Sequence, residues 1–281
     1  MSEYYGTDNE LYNFIKSKKH IDWFLLYENS ISLLVAANDD NYPNFLLVED
    51  RSVNVDASYI AKCETIVLSL AKQLNVCAFW LKYTQDVCIT SDTIVSIKTC
   101  DETSWSETQE CPLRTLANIV NDKTGLQTTV SEIPKQVSKA YNDKPSSNFH
   151  EWQRDYWISC GYIVDIDLIR TGWANQISHI YELKRSHDAI EKWVPYRDDT
   201  KNYLVIAHIC DKIGAKFIVV YNKMGNIDIL KLFDVYHRVG SKYNEHTLLI
   251  RLVGIENPHS FIGSKTTVLY NKQMLSIETI I

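Results

Sequence analysis

The stretch GYIVDIDLIRTGWANQISHIYELKRS, Gly161–Ser186, decides how this chain is read. Its first ten residues carry four apolar β-branched side chains, Ile163, Val164, Ile166 and Ile169, as suits a strand. GWAN, Gly172–Asn175, supplies a turn, so Ile177–Leu183 reads as the return strand of a hairpin. Side chains alternate along a strand, so Glu182 and Lys184 share one face while Leu183 points to the other. Asp165 and Asp167 share a face of the first strand in the same way. A four-residue turn sets Asp165 opposite Glu182 and places Asp167 one diagonal step away. A longer turn or a bulge exchanges the two aspartates. Charges at the end of an apolar strand are costly to bury and call for a metal, a substrate or water.

Outward from the hairpin, the pattern predicts a helix around Trp152 before it. After it come a polar loop from His187 to Thr200, a helix over Tyr203–Ile213 capped by Gly214, and a strand over Phe217–Tyr221. The remainder to Ile281 reads mostly as strand. In the first half, Leu11–Lys19 reads as a short helix and Trp23–Tyr27, Ser32–Ala37 and Phe45–Val48 as strands. Tyr59–Leu74 reads as a helix, Val76–Tyr83 as a strand, Thr84–Lys98 as further strands, Cys100–Cys111 as an acidic loop and Pro112–Val120 as a helix. Residues 142–149, rich in Pro, Ser, Asn and Asp, suit a linker. It separates an N-terminal α/β lobe, 1–141, from a C-terminal lobe, 150–281.

The halves resemble each other. Pro43–Ser52 (PNFLLVEDRS) matches Ser178–Ser186 (SHIYELKRS) through a shared Arg-Ser pair, and Leu68–Tyr83 matches Val205–Tyr221. An internal duplication of one strand–turn–strand–loop–helix–strand unit follows as an expectation. With the Arg-Ser pairs aligned, Val48 takes the place of Glu182 and Asp50 that of Lys184, and Ser32–Ala37 offers no acid. The first copy therefore reads as non-catalytic, with Glu49 and Asp50 as surface charges.

With 281 residues, 45% hydrophobic and 23% charged, the chain can bury a sizeable core. Its net charge of −6 rules out a basic chain and confines any nucleic-acid surface to a local patch. Seven cysteines are scattered without a CxxC pair, so neither a zinc cluster nor a disulfide framework is indicated. The polar N-terminus carries no signal-peptide pattern and no apolar run of membrane length follows, so a cytoplasmic protein without a membrane partner is expected.

Two or three carboxylates and one ammonium converging at a strand end fit a definite chemistry. Magnesium takes hard oxygen ligands, often one or two carboxylates completed by waters. Such a metal polarises a phosphodiester and readies a water. A neighbouring lysine orients or deprotonates that water and offsets developing negative charge.

An acid on one strand, a short hairpin, E-x-K on the next strand, then a helix and another strand resemble the PD-(D/E)XK nuclease superfamily. The matching residues are Asp167, Glu182 and Lys184, with Leu183 as the apolar x, and the resemblance spans about Glu151–Tyr221. Ile166 stands where many members carry proline. The resemblance implies a restriction-endonuclease-like core, a mixed sheet flanked by helices. It also implies a metal-dependent nuclease, endonuclease ahead of exonuclease, acting on nucleic acid and usually on DNA. Magnesium, or manganese in its place, would lie on Asp167 and Glu182, with Asp165 as the alternative first acid. Apolar Leu168-Ile169 after Asp167 favour Asp167 in that role.

Glu151 is a candidate additional helix-borne acid; a solvated acid at a helix start is the plainer reading. Arg185, Lys192, Arg197 and Lys201 are candidate phosphate contacts, although Asp188, Glu191, Asp198 and Asp199 interleave with them. Trp193 and Tyr196 could stack bases or cover the apolar flank of the site. The rival reading is a catalytically inactive protein on the same fold, binding nucleic acid or a protein partner. Seventeen Tyr and seven Trp permit a protein interface, including that of a homodimer.

Overall fold

The structure is a computed structural model that describes residues 10–17, 23–24, 31–51, 55–84, 89–100, 104–134, 147–158, 162–239 and 246–257. In chain order the elements are α1 Glu10–Ser17, β1 Trp23–Phe24, β2 Ile31–Ala37, β3 Pro43–Asp50, α2 Ala57–Leu74, β4 Cys77–Lys82 and β5 Ile94–Thr99. Then come β6 Gln109–Pro112, α3 Thr115–Thr124, β7 Thr129–Val130, α4 Asn148–Tyr156, β8 Trp157–Ile158, β9 Tyr162–Ile166 and β10 Leu168–Thr171. The chain ends on β11 Ile177–Ser186, α5 Thr200–Ile213, β12 Lys216–Lys223, β13 Asn226–Val239 and β14 His246–Glu256. It is a mixed α/β protein with several sheets and few helices, and neither large sheet closes into a barrel among the described residues.

Two compact units divide the chain. The first takes residues 1–7 and 26–165, the second 8–25 and 166–281. The division falls inside the stretch read as one strand, Gly161–Arg170. That stretch is two strands: β9 joins β2 in the sheet ordered β6-β5-β4-β3-β2-β9, and β10 joins β11 in the sheet ordered β1-β10-β11-β12-β13-β14. Of the expected linker, 142–146 lie outside the described residues. Ser147 is the N-cap of α4, its hydroxyl accepting from the His150 amide, and Asn148 and Phe149 open that helix.

Within the first unit, β2 and β3 pair antiparallel, α2 crosses over, and β4 lies parallel to β3. Every residue of β2 is buried, which explains why it is apolar except for Ser32. α2 buries one face, through Cys63, Ile66, Val67, Leu70 and Ala71. An aromatic cluster built on Phe45, Phe79, Phe149, Trp152 and Trp157 fills the core of this unit. The acidic segment 100–111 is not all loop. Gln109–Pro112 forms β6 against β5, because the strand face it completes includes the buried Val95 and Ile97.

The second unit repeats the order. β10 and β11 pair antiparallel, α5 crosses over, and β12 lies parallel to β11. The registers repeat as well. Leu34 pairs with Leu47 and Leu168 with Tyr181; both ladders shift at the same place, between Ala36 and Ala37 and between Arg170 and Thr171. Asp50 pairs with Lys82 and Lys184 with Tyr221. Lys82 pairs with Ser96 and Tyr221 with Lys231; Ser96 pairs with Glu110 and Lys231 with Ile255. α2 ends on Asn75 and α5 on Gly214, both left-handed, at φ 59° and 71°. These registers set Val48 at the position of Glu182 and Asp50 at that of Lys184, as the Arg-Ser alignment has it.

Glu49 and Asp50 are not surface charges. Both are 1% exposed. Glu49 accepts the Tyr83 hydroxyl through Oε1, which also lies 3.7 Å from Arg51 Nε. Asp50 Oδ2 accepts the Trp80 indole at 3.0 Å and faces Lys82 Nζ at 3.9 Å. Each buried carboxylate survives because a donor or cation meets it.

Two histidines are held below their usual range, His150 and His179, each at about 4. Burial is the main cause for both. Arg154 and Arg51 add to it at His150 against Asp165, and Arg170 and Lys216 add to it at His179. A depressed folded pKa gives stability that is complete above the unfolded value near 6.5 and is lost as pH falls through about 4. Urea denaturation at stepped pH should therefore show stability declining from pH ~6.5 toward pH ~4. His179→Phe, which keeps a ring beside Tyr181, should flatten part of that decline.

Candidate active site

The hairpin geometry selects between the two aspartates. The turn runs through Gln176, whose carbonyl accepts the Gly172 amide at 2.8 Å, so Thr171 pairs with Ile177. The register then shifts at the Arg170/Thr171 step, and Arg170 pairs with His179. Ser178 is the extra residue, its hydroxyl donating to the Arg170 carbonyl at 3.2 Å. Gln176 and Ser178 lengthen the return arm, so Leu168 pairs with Tyr181. Continued one step past the last pair, this register points Asp167, and not Asp165, at Glu182. A shift of this even size preserves the face. Asp165 lies exposed on β9, in the other sheet; its placement opposite Glu182 is corrected by the longer turn and the bulge.

Asp167 stands where main-chain pairing stops. Its Oδ2 accepts the Leu183 amide at 2.7 Å, replacing the carbonyl that a longer β10 would supply. Glu182 is 5% exposed. Lys184 Nζ lies 2.8 Å from Glu182 Oε1 and 3.1 Å from Asp199 Oδ2. Tyr203, in the first turns of α5, donates its hydroxyl to Asp199 Oδ2 at 3.4 Å, and its ring lies 5.9 Å from the ammonium. Burial by itself favours the neutral amine of Lys184. Glu182, Tyr203 and Asp199 outweigh it and hold the group well above the usual lysine range. In this geometry Lys184 is a fixed cation. Burial, first, and the Asp199 and Glu182 carboxylates push the Tyr203 phenol up, against Lys184.

Asp199 and Tyr203 are the members that sequence reasoning undervalued. From sequence, Asp199 is one of the acids interleaved with the loop cations and Tyr203 opens the helix over Tyr203–Ile213. The available signal was their spacing, four residues apart at a helix start, which stacks them on one helix face.

The remaining candidates are spread out. Arg185 is mostly buried and lies 3.8 Å from Glu10 Oε2 of α1. Lys192, Arg197 and Lys201 are exposed, as are Glu191 and Asp198 between them, giving a mixed surface. Glu151 is exposed in the first turn of α4, in the first unit. Trp193 is 2% exposed and stacks on Tyr221 at 4.2 Å between ring centroids, so it is core and not a base platform. Tyr196 stays exposed, edge-on to Trp193.

No group of three or more His, Cys, Asp or Glu side chains arranged to hold a metal occurs among the described residues. Asp167 and Glu182 offer oxygen only, a donor set that suits magnesium, which keeps several waters and needs one or two carboxylates. It does not suit zinc, which favours nitrogen and sulfur. No helix among the described residues is long and apolar enough to cross a membrane.

No family model matches the sequence, and no curated protein matches it. A solved structure with some similarity is the crystal structure of the sex pheromone staph-cAM373 precursor, at 8% identity and a TM-score of 0.17. The match covers 68% of this chain and 66% of that one, just under two thirds of its length.

Removing the ammonium would leave Glu182 and Asp199 close together with no cation between them. Lys184→Met should lower stability by about 2 kcal/mol at neutral pH. Adding Asp199→Asn should recover part of it, as read by urea denaturation of the single and double variants.

Proposed function

We propose that the chain is a metal-dependent nuclease that hydrolyses phosphodiester bonds, with DNA as the main substrate and Asp167, Glu182 and Lys184 as its site. The observation that carries this reading is the hydrogen bond from the Leu183 amide to Asp167 Oδ2 at 2.7 Å, one step past the Leu168–Tyr181 pair, which holds the aspartate against β11 between Glu182 and Lys184. Also in its favour is the order of acid strand, hairpin, E-x-K strand, helix and parallel strand, which a restriction-endonuclease-like core has. On this reading the first unit is a degenerate duplicate of the second. The repeated registers support that, and Val48 and Asp50 replace the acid and the lysine.

Asp167 and Glu182 would hold magnesium or manganese, which supplies Lewis-acid polarisation of the phosphodiester and of a water. Lys184 presents a fixed positive charge beside them, placed to offset charge that develops on the phosphoryl oxygens. Asp199 and Tyr203 hold that ammonium in place. Leu183, buried on the opposite face, anchors the strand so that the charged side chains keep their direction.

A second reading, a nucleic-acid-binding or protein-binding module without cleavage, is favoured by one observation. Lys184 is engaged by two carboxylates at once, an arrangement that is complete without any ligand.

Cleavage of plasmid, linear duplex, single-stranded DNA and RNA with magnesium, manganese or EDTA discriminates the two. Metal-dependent cutting is expected, lowered by about 10²–10³-fold in Lys184→Ala and Glu182→Gln. Asp167→Asn should fall with them, while Asp165→Asn should cut like the native chain. Absence of cutting, together with binding that weakens steeply as salt is raised, would establish the second reading instead.

A further inference from the structure

The repeat is uneven at the connection ahead of the helix. In the second unit the segment between β11 and α5, residues 187–199, lays Trp193 over the sheet. Its indole stacks on Tyr221 with the planes 2° apart and meets Phe233 edge-on at 5.7 Å. Lys231 donates to the Trp193 carbonyl at 2.8 Å and to the Glu191 carbonyl at 3.1 Å. Tyr221 and the start of the loop are tied together, the Tyr221 hydroxyl donating to the Asp188 carbonyl at 2.7 Å. The loop segment thus supplies an aromatic plug whose main-chain carbonyls are capped by an ammonium.

In the first unit the connection between β3 and α2 spans only residues 51–56. The registers place Lys82 at the position of Tyr221, Ser96 at that of Lys231, Lys98 at that of Phe233 and Glu110 at that of Ile255. At this place the first unit has an open cleft of about 440 Å³, lined by Lys82, Tyr83, Thr84, Ile94, Ser96 and Glu110, among others. That volume lies within the range of roughly 300–1,000 Å³ typical of binding sites. The lining is also suited to a loop carrying an aromatic ring. Lys82, half exposed, offers an ammonium to a ring face or to main-chain carbonyls. Ser96 and Thr84 offer hydroxyls to the same backbone, and Ile94, 59% exposed, offers apolar surface.

We propose that this cleft is a docking site for a partner protein, which inserts a tryptophan-bearing loop where the second unit uses its own Trp193. The site is separate from the candidate active site and does not depend on its chemistry.

The probe is the heptapeptide IEKWVPY, copying Ile190–Tyr196, with blocked ends, titrated into the full-length isotope-labelled protein and followed by amide chemical shifts. Saturable shifts at Lys82, Ser96 and Glu110 are expected, with a Kd of about 0.1–1 mM, as suits one anchoring side chain on a short peptide. The peptide with alanine in place of its tryptophan should lose them. Ser96→Phe, which fills the cleft, and Lys82→Ala, which leaves it open but removes the ammonium, should each weaken binding at least about threefold, with folding checked by thermal melts. Equal shifts from the two peptides, absence of saturation, or shifts confined to Tyr221 and Phe233 in the second unit would overturn the proposal. Adenosine monophosphate shifting the cleft residues where the peptide does not would overturn it in favour of a nucleotide ligand.

Discussion

A largely enclosed ammonium held between two carboxylates is the constraint around which the second unit is arranged. Lys184 cannot lie on a strand paired on both sides without charges to meet it. Glu182, two residues earlier, supplies one of them. Asp199 supplies the other, and it reaches the site only because the loop after β11 returns to start α5 directly above the strand ends. The helix start, the Tyr203 hydroxyl and the loop contacts through Asp188 and Trp193 all serve that return. Asp167 closes the remaining side by accepting the Leu183 amide where main-chain pairing runs out.

The first unit solves the same topological problem with other chemistry. At the position of Lys184 it carries Asp50, met by an indole and a lysine; at that of Glu182 it carries Val48. On the opposite face, Glu49, Arg51, Tyr83 and Ser32 form a buried polar network. One backbone plan therefore tolerates inversion of the charge at this strand-end position, provided the partner changes with it. What differs most is the connection ahead of the helix. In the second unit an aromatic plug covers the sheet; in the first, the matching registers line a cleft.

Much of this was legible from residue order. The apolar runs of β2, β3 and β12, the stripe on α2 and the cap at Gly214 follow from period and turn chemistry, and the structure has each of them. The face shared by Glu182 and Lys184 follows from strand geometry alone. The reach of β6 into the acidic segment was not legible, because Gln109 and Glu110 look like loop residues until the strand beside them is known. Nor was the burial of Glu49 and Asp50. Local polarity marks a charge as exposed, and only its partners, Tyr83 and Arg51 for Glu49 and Trp80 and Lys82 for Asp50, make it cheap to bury.

By itself, the sequence determined the element types, the order of the repeated unit and the residues able to carry charge at the end of β11. Tertiary structure decided which of them meet. An extra turn residue and one bulge move Glu182 from Asp165 to Asp167, a shift that no local pattern encodes, since both aspartates share a face and both are followed by apolar residues. It also decided that the apparent single strand Gly161–Arg170 divides between two sheets, because each sheet takes the half whose backbone it can pair. Asp199 is next to Lys184 for the same kind of reason: they are fifteen positions apart in the chain, and a loop anchored by Trp193 closes that gap.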